Sequence, residues 1–144
     1  MTVESIRLRL LLIAPLRLAL SIAWLAAARA AGGRPGPALI AFAAGAFASA
    51  FLVANDPRNS YTHEPAKLPA EASVAPAWRH VVDAAIPSTI AVPVLAALTL
   101  LFQPTLTALL GGILAGIGLA ALLSAYGVDG RLYLDPRTRT VFRR

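Results

Sequence analysis

The chain has 144 residues, 58% of them hydrophobic and only 14% charged, with a mean hydropathy of +0.69. A soluble core of this length cannot bury so much apolar surface, whereas lipid accepts it on the outside of a helix bundle, so the composition excludes an ordinary soluble domain and points to one membrane domain over residues 1–144. The formal net charge is +6 and cysteine is absent, which excludes disulfides, thiolate metal sites and cysteine nucleophiles.

The first apolar segment predicts a span over about residues 10–28 that holds Arg17 roughly two turns inside. An arginine at that depth costs about 3 kcal/mol on insertion scales unless it snorkels or finds a partner. The same arginine argues against a cleavable signal peptide, whose apolar region is uninterrupted. A rival reading lays Thr2 to Pro15 on the membrane surface as an amphipathic helix that breaks at Pro15.

Gly32-Gly33-Arg34-Pro35-Gly36-Pro37 is a turn by composition. It leads into an uncharged second span over 37–54, where Ala41, Gly45 and Ser49 recur at every fourth position and give the helix a face of small side chains. Residues 55–79 form the one long polar segment, with prolines at 57, 65, 69 and 76, and predict a loop with little regular structure. Trp78 suits the headgroup level where the chain re-enters.

The third span, 81–102, contains Asp83, Pro87 and Pro93, and the two prolines predict kinks and freed carbonyls. Gln103-Pro104 leaves almost no room for a loop, so the third and fourth spans are expected to form a tight antiparallel hairpin. The last span, 105–126, is an uncharged apolar run long enough to cross a bilayer as one helix. Ala108, Gly112, Gly116, Ala120 and Ser124 recur along it at every fourth position, with Gly112 to Gly116 as a GxxxG step, and another backbone can come close there. The second and last spans are therefore the expected close-packed pair. In the tail, 127–144, Leu132-Tyr133-Leu134 and Thr140-Val141-Phe142 flank a polar turn, so a short β-hairpin is one reading and a disordered basic tail the other.

The expected fold is thus an all-α, integral membrane four-helix bundle with both termini on one side. That side carries Arg7, Arg9, Arg58, Lys67, Arg79, Arg131, Arg137, Arg139, Arg143 and Arg144, against Arg29 and Arg34 on the other. The positive-inside rule places both termini in the cytoplasm, at the cytoplasmic membrane if the cell is bacterial. Arg137, Arg139, Arg143 and Arg144 are expected to contact anionic lipid headgroups rather than nucleic acid, because they sit beside apolar spans.

Few residues suggest chemistry. Asp56, Ser60 and His63 lie close in sequence but in a proline-rich loop that offers neither a rigid frame nor an oxyanion site. His63-Glu64 and His80 with Asp83 fall short of a zinc signature, and no phosphate-cradling glycine motif is present. No catalytic set, metal or cofactor is expected. Arg17 and Asp83 are the charged residues expected within the membrane boundary, on helices entering from the same side; either a long arginine side chain reaches back to the aspartate or each group snorkels separately to headgroups or water. Two functional classes follow. One is a non-catalytic accessory or scaffold subunit that packs with copies of itself or with another membrane protein through its small-residue faces. The other is a small oligomeric transporter or channel using Arg17, Asp83 and the proline-broken third span. If Arg17 and Asp83 pair, the double reversal Arg17→Asp with Asp83→Arg recovers more protein in the membrane fraction than either single reversal; equal recovery in all three variants means no pairing.

Overall fold

The computed structural model describes residues 1–55 and 64–144, and only the backbone of residues 80, 81 and 83–89. Four helices, α1 (Ile6–Ala30), α2 (Pro35–Ala54), α3 (Ala77–Phe102) and α4 (Pro104–Gly127), are joined by a sheet of five short strands: β1 (Thr2–Ser5), β2 (Ala66–Lys67), β3 (Ser73–Val74), β4 (Leu132–Leu134) and β5 (Val141–Arg143).

The helix ends follow from local chemistry. Ser5 caps α1, its hydroxyl accepting the Leu8 N–H at 3.4 Å. At the other end Gly32 takes φ +90, and the N–H groups of Gly32 and Gly33 donate to the carbonyls of Arg29 and Ala28 at 3.2 and 3.0 Å, which closes the helix and turns the chain. Proline occupies the first turn of both α2 and α4, where no N–H is needed. Pro15 lies inside a continuous α1, so the surface helix ending at Pro15 does not form, and residues 2–5 are strand.

Three helices, α1, α2 and α4, are long and apolar enough to cross a membrane. The apolar part of α3 among the described residues is Ile90–Phe102. α4 is the centre of the packing. Half of its most apolar window is buried (50%), against 17% for α1 and for α2, and its contacts with those two helices are the most extensive in the chain.

The closeness of α4 to its neighbours depends on glycine. A Cβ added at Gly112 would strike the Phe42 carbonyl of α2, and one at Gly116 would strike the Ala46 carbonyl and the Ser49 hydroxyl. On the facing helix, a Cβ at Gly45 would lie 2.5 Å from the Leu109 carbonyl oxygen. A second glycine face, Gly111 and Gly118, meets α1: added Cβ atoms would come within 3.1 Å of the Ser21 carbonyl and 3.2 Å of the Arg17 Cβ. Backbones this near gain dispersion contacts that lipid does not supply.

Ser49 and Thr107, both buried in the bundle, are hydrogen-bonded. Ser49 donates across to the Ile113 carbonyl at 3.0 Å and within its own helix to Gly45 at 2.7 Å, two contacts that its single proton shares. Gln103 alone links α3 to α4, and behind this turn the fully buried Thr107 hydroxyl lies 3.0 Å from that of Thr99 and 3.3 Å from the Ala96 carbonyl. The two helices do run back to back as a hairpin.

The strands correct the all-α expectation. The sheet order is β2-β5-β4-β1-β3, so the amino-terminal residues, the polar loop and the tail all contribute to one layer. β1 pairs antiparallel with β4 and parallel with β3, and β5 pairs antiparallel with β4 and parallel with β2. The 55–79 segment is therefore not without regular structure: two of its dipeptides form the two edges of the sheet. Val3, fully buried, anchors the layer to the bundle.

Gly116→Val is expected to destabilise the bundle by at least the ~1–3 kcal/mol typical of an overpacked core. Gly127→Ala, where an added Cβ meets nothing within 4 Å, is expected to shift stability by less than about 0.5 kcal/mol. Thermal midpoints of the two variants in the same detergent check the contrast.

Candidate functional site

The polar chemistry of the described residues gathers at the sheet end of the bundle. β4 and β5 are joined through Asp135-Pro136-Arg137-Thr138-Arg139, a turn organised by one carboxylate. Asp135 Oδ1 accepts the Arg137 N–H at 2.9 Å, Oδ2 accepts the Thr138 hydroxyl at 3.0 Å, and the Asp135 carbonyl accepts the Arg139 N–H at 2.8 Å. Arg139 takes the left-handed φ of 55, which the turn requires. Before β4, Asp129 accepts the Arg131 N–H at 3.0 Å and the Arg143 guanidinium at 2.8 Å. These hydrogen bonds favour the charged form, so both carboxyls are held below the usual aspartate range: Asp129 chiefly by the Arg131 N–H and then by Arg143, Asp135 chiefly by the Arg137 N–H.

Against this turn lie β1 and the start of α3. Glu4 is 2% exposed, and its Oε2 meets Arg9 Nη1 at 3.0 Å. Together β1, the first turn of α3 and the β4–β5 turn enclose a cavity of about 490 Å³, with Thr2 and Glu4 on one wall, Arg79 on the second, and Asp135, Arg137 and Thr138 on the third. Pro76 begins α3 beside it without a side-chain cap. Nothing in the sequence pattern marks this cavity, because its walls come from three segments remote along the chain.

The small residues singled out from spacing divide into two sets. Gly45, Ser49, Ala108, Gly112 and Gly116 are buried, and the glycines among them with Ser49 bring α2 onto α4. Ala41 is half-buried, Ala120 is buried, and Ser124 is exposed. The strip is therefore not continuous to its end. Successive i+4 steps rotate around the helix by about 40° each, and four of them carry Ser124 away from the face Ala108 began. The Gly111 and Gly118 face toward α1 was not singled out by four-residue spacing; a seven-residue spacing marks it.

Arg17 leaves α1 on the side of α4, beside Gly118. The side chain of Asp83 lies outside the described residues, as do Asp56, Ser60 and His63. Of the tail arginines, Arg143 is tied to Asp129 and Arg137 lines the cavity, while Arg139 and Arg144 are exposed.

Comparison with protein families, with curated proteins and with solved structures found no match. The three long apolar helices fit an integral membrane protein.

Because Asp129 and Asp135 have lower pKa values folded than unfolded, their contribution to the β4–β5 hairpin is complete above the unfolded value near 4 and is lost as pH falls through the lowered folded values. The expected outcome is that cross-strand NOEs between Tyr133 and Phe142, which face each other in the register, persist at neutral pH and fade on acidification below about pH 4, with Asp135→Asn weakening the pH dependence.

Proposed function

We propose that this is a non-catalytic, multi-pass accessory or scaffold protein of the membrane, in which α1 to α4 all cross and the sheet with both termini lies in the cytoplasm. The observation that carries the reading is the sheet itself. Three segments separated by whole helices return to one end of the bundle and pair there, so the chain builds a platform on one side and only the short turns at 31–34 and at Gln103 on the other. The distribution of lysine and arginine outside the spans supports the same orientation.

The interior supports a scaffold more than a path. Among the described residues, the faces of α4 toward α1 and α2 are closed at backbone contact, and Ser21, Ser49 and Thr107 bond to nearby carbonyls. With those small-residue faces occupied within the chain, contact with a second copy or another membrane protein falls to the outward faces, such as α2 with its stacked Phe47 and Phe51, 6.5 Å between centroids. The tail arginines Arg137, Arg139, Arg143 and Arg144 rest against anionic headgroups at about 1 kcal/mol each.

Reporter fusions at residues 1 and 144 are expected to read out on the cytoplasmic side, and protein purified in mild detergent is expected to carry a stoichiometric partner or to self-associate. Opposite sides for the two ends would refute four crossings. Ion flux in liposomes that Asp83→Asn abolishes would replace the scaffold with the transporter built on Arg17 and Asp83.

A further inference from the structure

The cavity at the sheet end is lined by two arginines and lies beside a helix start that no side chain caps. We propose that it binds a phosphate ester, held between the guanidinium groups of Arg79 and Arg137 at the amino end of α3. This deepens the headgroup contact proposed above and rests on the same interfacial placement for its lipid source, though the recognition chemistry is independent of it.

The charges of the wall favour an anion once the carboxylates are accounted for. Glu4 is enclosed and answered by Arg9 at 3.0 Å. Asp135 keeps its charge, but its two oxygens are engaged within the turn by the Arg137 N–H and the Thr138 hydroxyl, and with Arg9 beside Glu4 the region carries three guanidinium groups against two carboxylates. That same turn places Arg137 on the cavity wall, and its exposed guanidinium makes no hydrogen bond or ion pair among the described residues. Arg79 projects from the first turn of α3, where the unpaired N–H groups of a helix add positive potential. Paired arginines suit phosphate because each guanidinium presents a planar fork of donors that meets two oxygens at once. The volume, about 490 Å³, is within the range of about 300–1,000 Å³ in which proteins hold small molecules, so a phosphate with its glycerol or similar ester group fits.

Position favours a lipid as the source. The cavity opens where α1 and α3 begin, at the ends of apolar helices, and the neighbouring Trp78 is 67% exposed, as an interfacial tryptophan is. A headgroup entering from the leaflet keeps its acyl chains along the near half of α3, whose Val82 and Ile90 are exposed.

The test is native mass spectrometry of the full chain released from bilayers of equal parts phosphatidylglycerol and phosphatidylcholine, with glycerol 1-phosphate as the soluble probe. The wild type is expected to retain one phosphatidylglycerol. Arg137→Gln is expected to lower its occupancy by about tenfold, the size of one lost charged hydrogen bond, and Arg79→Gln with Arg137→Gln by more than that. Arg7→Gln with Arg131→Gln, which removes equal charge outside the cavity, is expected to change it less than twofold. If Arg79→Gln disturbs folding, the exposed Arg137→Gln carries the comparison alone. Displacement of the lipid by glycerol 1-phosphate supports phosphate recognition, and binding of that probe without any retained lipid supports it with a water-soluble source. Equal losses in the two double variants, or no binding of either probe, overturn it. Extraction of the protein from membranes by alkaline carbonate would show the membrane placement to be wrong while leaving the glycerol 1-phosphate measurement to decide the cavity.

Discussion

How near two helix backbones can come is the constraint on which the arrangement depends, because lipid offers no hydrophobic force to drive apolar helices together. Stability then comes from dispersion at close range and from the few polar contacts that reach across. α4 meets this with two glycine-bearing faces. Gly112 and Gly116, one turn apart, admit α2, and Gly111 and Gly118, two turns apart, admit α1. The two pairs lie about 130° apart around the helix, so α4 receives its partners on different sides and is itself the most enclosed of the three long apolar helices. The Ser49 hydroxyl bond to the Ile113 carbonyl then fixes the register of α2, since a slide by one residue loses both the hydrogen bond and the glycine clearances.

Much of this was legible because spacing and steric requirement are properties of single segments. Ala108, Gly112 and Gly116 with Gly45 and Ser49 announced a close approach before any partner was known, and Gln103-Pro104 announced a hairpin. The legible signal also overreached. A run of small residues at intervals of four looks like a stripe on paper, but the 3.6-residue turn makes it spiral, and Ser124 ends up exposed. Gly111 and Gly118 escape a count of every fourth residue, because they stand seven residues apart with Ala115 between them on the same face.

The sheet was illegible for a different reason. Ala66-Lys67 and Ser73-Val74 are strands of two residues, too short for any periodicity and poor in strand-forming side chains. They are extended because β5 and β1 offer them carbonyls and N–H groups, as in the bonds from Leu68 N–H to the Arg143 carbonyl at 3.0 Å and from Ala75 N–H to the Val3 carbonyl at 2.8 Å. Only the tail hairpin carried its own signal, in two β-favouring triplets around Asp135-Pro136. The polar cavity inherits the same obscurity, since each wall belongs to a different segment.

The sheet and the helices are not independent, and α3 shows why. It contacts α1 and α4 less extensively than α2 contacts α4, and it carries Pro87 and Pro93 within its length. A helix so placed is defined by its ends. At Gln103 it is tied to α4 by a one-residue turn and by the Thr99 and Thr107 hydroxyls. At the other end Ala75 bonds to β1, whose neighbour β4 follows directly from α4. Both attachments of α3 therefore lead back to α4, one through two residues and the other through the sheet. Loosening the β1–β4 pairing would free the amino end of α3 and with it Arg79, so the geometry of the cavity and the seating of the least tightly packed helix depend on the same few strand hydrogen bonds.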